Sequence, residues 1–183
     1  MTAGRGIVHS EFPEQEDGLM WGFQLWVNLP AKDKMTAPRY QDIQGENIPT
    51  ADLGDGITAK VIVGELGGVS GPVSDVVTDP RYFDFSIPAD KSFVLNLPEG
   101  HNAFVYVFQG SAKIGAAGTF VQRGEMALLS HGEEVSLEGV EDLRCIVVAG
   151  KPLKEPIARY GPFVMNTKEE IQQAFEDYQA GRM

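Results

Sequence analysis

A single cysteine, three histidines and a shortage of positive charge set the first limits on this 183-residue sequence. Cys145 has no second cysteine to pair with, so neither an internal disulfide nor a thiolate metal cluster is available, and a reducing compartment, the cytoplasm, is expected. Lys and Arg number 15 against 26 Asp and Glu, a formal charge of −11 that repels polyphosphates and anionic lipid, so nucleic acid is not expected as a direct ligand. Long apolar runs are also missing. The longest, Ala103 to Phe108, falls far short of the roughly 18 residues that read as a membrane span. Residues 1–11 contain no apolar signal core, and no membrane partner is expected.

What the sequence does have is punctuation. It carries 21 glycines and 11 prolines, and these fall between short stretches rich in Val, Ile, Leu, Phe and Tyr, the pattern of an all-β barrel or sandwich. Alternation predicts strands near 22–28 and 59–66. Further strands are expected near 82–87, 92–97, 103–109, 111–115, 119–122, 125–130, 133–138 and 143–149. The stretch from Pro30 to Gly56, with Pro30, Pro38 and Pro49, reads as a long irregular connection. Thr167 and Glu170 have capping-box spacing, and Ile171, Ala174, Phe175 and Tyr178 recur at helical intervals before Gly181. One terminal helix over 167–180 follows, its apolar stripe expected to pack on the protein itself.

Candidate chemistry begins at His9 and Glu11. Gly4 and Gly6 suggest a tight turn leading into a strand, where residues two apart share a face, and an imidazole beside a carboxylate is half of an octahedral site for iron or another divalent first-row metal. On spacing alone a surface histidine beside a solvated glutamate is the ordinary reading. Ser10 adjoins His9 but faces the other way, which disfavours a hydrolase triad. Cys145 lies in an apolar run without a histidine base and reads as a buried inert thiol. Gly67-Gly68 is followed by no helix and no P-loop lysine, so no phosphate cradle is expected. His101 reads as a turn or pocket-edge residue and His131 as a turn.

Four stretches carry a family resemblance. Residues 1–11 (MTAGRGIVHSE) resemble the segment that ends the metal-binding cupin of the pirin family. Residues 25–35 (LWVNLPAKDKM) with 38–41 (PRYQ) resemble that family's link into its second cupin. Residues 96–110 (NLPEGHNAFVYVFQG) and 159–167 (RYGPFVMNT) are similar to its C-terminal cupin. The resemblance covers essentially the whole chain. It implies an all-β cupin fold: a remnant of a first cupin over 1–30, a linker over 31–56, and a complete C-terminal cupin with a terminal helix over 57–183.

The resemblance implies a function as well. His9 and Glu11 stand where the family has two of its four metal ligands, and Glu11 also stands as a candidate general base. Some family members resemble quercetin 2,3-dioxygenases, in which a metal anchors a flavonol and dioxygen. The implied cofactor is a divalent metal, iron first, with nickel, manganese, copper and zinc as alternatives. The implied substrate is a flavonol-like small molecule. The family's other two ligands come from a His-x-His motif, and with His9, His101 and His131 the only histidines, that motif is absent. Met1 coincides with a methionine internal to the family's Trp-Met-Thr-Ala-Gly pattern, so a misplaced start, a fragment or a natural truncation is expected. Weak or absent metal, no turnover by this chain and self-association through uncovered strands are expected accordingly. The alternative class is a non-catalytic, metal-linked regulatory module that contacts a protein partner.

Overall fold

In the computed structural model, which describes residues 1–12, 17–74 and 77–183, the chain divides into two compact units, Ile43–Pro152 and Met1–Asp42 with Leu153–Met183. Among the described residues the first unit is built from twelve strands. They are β1 Thr50–Asp52, β2 Thr58–Val63, β3 Glu65–Leu66, β4 Val69–Ser70, β5 Arg81–Ile87, β6 Ser92–Asn96, β7 Asn102–Gln109, β8 Ser111–Ile114, β9 Thr119–Gln122, β10 Met126–Leu128, β11 Glu134–Gly139 and β12 Leu143–Gly150. Nine of the ten predicted strands are present, within a few residues of their expected ends. β1 lies inside the stretch read as irregular: it is three residues long and buries only Ala51, too short a pattern to show as alternation.

Two larger sheets form, in the orders β1-β2-β5-β12-β7-β10 and β6-β11-β8-β9, and all their strand pairs are antiparallel. The reason is visible in β5, where Phe83, Phe85 and Ile87 are at most 1% exposed while Tyr82, Asp84 and Ser86 take the other face, as a half-buried strand requires. Those side chains join Val61, Leu95, Val105, Val107, Leu137, Leu143, Cys145 and Val147 in one apolar core. Fully burying each large member contributes roughly 1.5–3 kcal/mol.

β12 lies between β5 and β7 and is buried on both faces, which explains its unbroken apolar run. Cys145 and Val147 face the core, while Ile146 and Val148 meet Phe108 in a second cluster flanked by Tyr82, Phe104 and Tyr106. The β7–β12 register shifts between Arg144 and Cys145, and there the Arg144 guanidinium lies 4.8 Å from the Phe108 ring centre. The β7–β8 turn depends on Gly110, whose φ is +69° and where a Cβ would run into the Asp142 carbonyl oxygen.

The second unit combines both ends of the chain. Thr2 and Arg39 exchange backbone hydrogen bonds of 2.7 and 2.9 Å. The hairpin of β13 Ala158–Tyr160 and β14 Phe163–Met165 is followed by the helix α1, Lys168–Gln179. Thr167 caps α1 in a complete capping box: its hydroxyl accepts from the Glu170 N–H, and the Glu170 carboxylate accepts from the Thr167 N–H. Phe175 of α1 packs edge-on against Phe163 and Tyr160, with ring centres 4.8 and 5.5 Å apart. No helix among the described residues is long and apolar enough to cross a membrane.

A buried lysine fastens this unit. Lys34 is 5% exposed, and its Nζ donates to Asn28 Oδ1 at 2.7 Å and to the Val164 carbonyl at 3.1 Å. Burial pushes the Lys34 ammonium below its ordinary pKa of 10.5, against the opposing pull of Glu155 and Glu170. Glu155 in turn accepts from the Ala31 N–H and the Asn166 side-chain amide.

Residues 22–28 form no strand, contrary to their alternation. A half-buried strand needs one covered face and a hydrogen-bonding neighbour. Here both parities are open: Phe23 and Val27 are 41% and 48% exposed, and Trp26 between them is 57% exposed.

Candidate functional site

Residues 7–12 carry no regular secondary structure, so the strand expected beneath His9 and Glu11 is absent. The chain still brings the two side chains together, with His9 Nε2 3.6 Å from Glu11 Oε1. The N-terminal turn is fixed by Arg5 N–H donating to the Thr36 carbonyl at 2.9 Å and by Gly4 at φ +53°, where a Cβ would collide with that same carbonyl. The imidazole side chain is 34% exposed and the carboxylate 68%, so a ligand can approach both.

Their spacing suits shared coordination. Two donors each about 2.1 Å from one first-row ion lie roughly 3.0–3.5 Å apart at octahedral or tetrahedral angles, close to the separation seen. Among the described residues, no group of three or more His, Cys, Asp or Glu is arranged to hold a metal. The pair therefore fits two positions of a coordination sphere and no more. Sequence reasoning missed a third participant: Gln24 donates its side-chain amide to Glu11 Oε1 at 3.0 Å. Gln24 sits 13 residues away in an irregular segment, and no periodicity marks it.

His101 lies in the other unit, in a different setting. Its side chain is only 6% exposed, Nε2 is 3.6 Å from Asp79 Oδ2, and the buried Nδ1 has no hydrogen-bond partner among the described residues. Arg81 grips Asp79 Oδ1 at 2.6 Å. Burial lowers the pKa of the imidazole, which Asp79 raises, while Arg81 and Lys151 lower it further. With Asp79 already committed to a guanidinium, this cluster is a clasp at the start of β5 and β7. His131 lies in an exposed bend. Cys145 is fully buried and its thiol is pushed up to about 12 by burial, with Asp84 adding to the effect, so it stays protonated and unreactive.

Two antiparallel sheets of short strands, joined by tight turns around a single apolar interior, define Ile43–Pro152 as a cupin barrel. Residues 82–183 match the family model described as the pirin C-terminal cupin domain, and residues 1–27 match the model described as pirin. The chain belongs to the pirin family. It is 44% identical to a pirin-like protein of Caulobacter vibrioides, covering all of this chain and 66% of that protein. It is 40% identical to human pirin, covering 97% of this chain and 62% of that one. A solved structure of quercetin 2,3-dioxygenase from Acinetobacter baumannii superposes with a TM-score of 0.80 at 37% identity, over 86% of this chain and 55% of that one. The chain thus spans about two thirds or less of the length of these relatives.

Proposed function

We propose that this chain carries half of the metal centre of a pirin of the quercetin 2,3-dioxygenase type. His9 Nε2 and one oxygen of Glu11 would hold a divalent ion, iron first among the candidates. When bound, such an ion supplies Lewis-acid and one-electron chemistry. Glu11 has a second task within reach, since a carboxylate with one oxygen engaged can accept a flavonol hydroxyl proton on the other. The observation that carries the reading is the 3.6 Å approach of His9 and Glu11 within the segment matching the pirin model. The name of the Acinetobacter baumannii relative supports a flavonol as substrate class. In this reading residues 1–30 belong to a first cupin, 31–56 to a linker and 57–183 to the second cupin.

Two protein donors leave most of an ion's coordination sphere to water, and among the described residues the pair lies open to solvent, the carboxylate 68% exposed. The 183-residue chain should therefore purify with well under one equivalent of iron or nickel and should not consume quercetin. His9→Ala or Glu11→Ala should remove the remaining metal. Joining the chain to the His-x-His cupin of a relative should bring both a full equivalent and quercetin consumption. Elemental analysis checks this: a full, tightly held equivalent that survives His9→Ala would sink the reading.

A second reading, a protein-binding module, is favoured by the exposed apolar residues of 19–27, with Leu19 85% and Met20 68% exposed.

A further inference from the structure

Glu11 lies in an irregular segment and is 68% exposed, conditions under which a carboxylate samples several rotamers and is a poor ligand. One contact from a distant part of the chain restrains it. Gln24 Nε2 donates to Glu11 Oε1 at 3.0 Å, and this is the same oxygen that stands 3.6 Å from His9 Nε2. A carboxylate oxygen has two lone pairs, so an amide donor on one of them leaves the other for the imidazole side, where an ion would sit. Glutamine is suited to the task because it donates without bringing charge. A lysine there would repel the ion, and a glutamate would repel Glu11.

We propose that Gln24 is a positioning residue for the metal half-site, holding the Glu11 carboxylate turned toward His9 before any ion arrives. The inference rests on the reading of His9 and Glu11 as ligands. Gln24 touches no metal itself and acts only through Glu11. Its effect belongs to the class of outer partners that orient ligands, which typically alter metal affinity by about 10- to 100-fold, and for this exposed contact the lower end, roughly tenfold, is expected.

The experiment uses the full 183-residue chain and cobalt(II) alone as the probe, with binding read from paramagnetic broadening of the backbone amide resonances of residues 7–11, which every variant retains. Gln24→Met keeps the length of the side chain and removes the donor. It should weaken cobalt binding roughly tenfold while leaving the thermal unfolding midpoint where it is. In the metal-free chain, Glu11→Gln should shift the Gln24 side-chain amide resonances and His9→Ala should not. If Gln24→Met binds cobalt as the parent does while Glu11→Gln and His9→Ala lose binding, the positioning role is wrong and the ligand assignment stands. If neither His9→Ala nor Glu11→Gln changes binding, the ligand assignment falls and takes this proposal with it. A lowered unfolding midpoint accompanying the lost affinity would make Gln24 a structural residue and overturn the proposal too.

Discussion

The imidazole of His101 is a protonation site that the fold has placed at a disadvantage. Adding a proton would strengthen its contact with Asp79, but it would also create a buried N–H at Nδ1 with no acceptor among the described residues, beside the positive charges of Arg81 and Lys151. The folded pKa therefore lies below the ordinary 6.5, and the unfolded chain binds more protons across the interval between the two values. Stability from this group is fully present above pH 6.5 and is lost as pH falls through the folded value. Urea unfolding at pH 7.5 and 5.5 should show a larger loss in the parent chain than in His101→Gln, and equal losses would refute the assignment. Little at this scale was legible in advance. His101 reads in the sequence as a turn or pocket-edge residue because Asn102 and Ala103 offer no second histidine and Phe104 to Gln109 no carboxylate; its partner Asp79 lies 22 positions earlier and belongs to another strand's approach. His9 and Glu11 are singled out by the family resemblance of residues 1–11, their two-residue spacing being weak by itself, whereas the buried Lys34 and the exposed Gln24 are defined by contacts that no window of sequence contains.

Elements were legible to the extent that they carry their own signals. α1 announces itself through Thr167 and Glu170, and those two residues close the box that the spacing implied. Thr167→Ala should cost about 1 kcal/mol, seen as a lower thermal midpoint with unchanged barrel signals, while Thr167→Ser should cost little. The strands of the barrel were readable from turns and alternation. The error at 22–28 came from trusting alternation where no neighbouring strand supplies a ladder, and the hairpin of β13 and β14 was missed because three-residue strands leave no measurable period. The irregular stretch also has a physical cost. Leu19, Met20, Trp26 and Val27 are 48% to 85% exposed in one short segment, although the Arg159 guanidinium lies 5.5 Å from the Trp26 ring. Concentration-dependent association is expected by light scattering, and Leu19→Lys with Met20→Lys should reduce it. A monodisperse monomer of the parent chain at high concentration would show that this surface is tolerated as it stands.

Across the whole molecule, the two units differ in how the chain composes them. The cupin barrel is continuous in sequence, Ile43 to Pro152, and its strands pair largely with neighbours a few tens of residues away. The other unit is discontinuous: the Lys34 ammonium needs the carbonyl of Val164, and the Ala31 N–H needs the carboxylate of Glu155. During synthesis, which proceeds at about 5–20 residues per second from the N-terminus, these donors leave the ribosome long before their acceptors exist. The apolar segment around residues 19–27 and the ammonium of Lys34 stay unfastened while the barrel sequence, residues 43–152, is synthesised. Translation imposes an order that refolding from denaturant does not: on the ribosome the acceptors in residues 153–183 follow the whole of the barrel sequence, whereas in refolding every segment is present from the start.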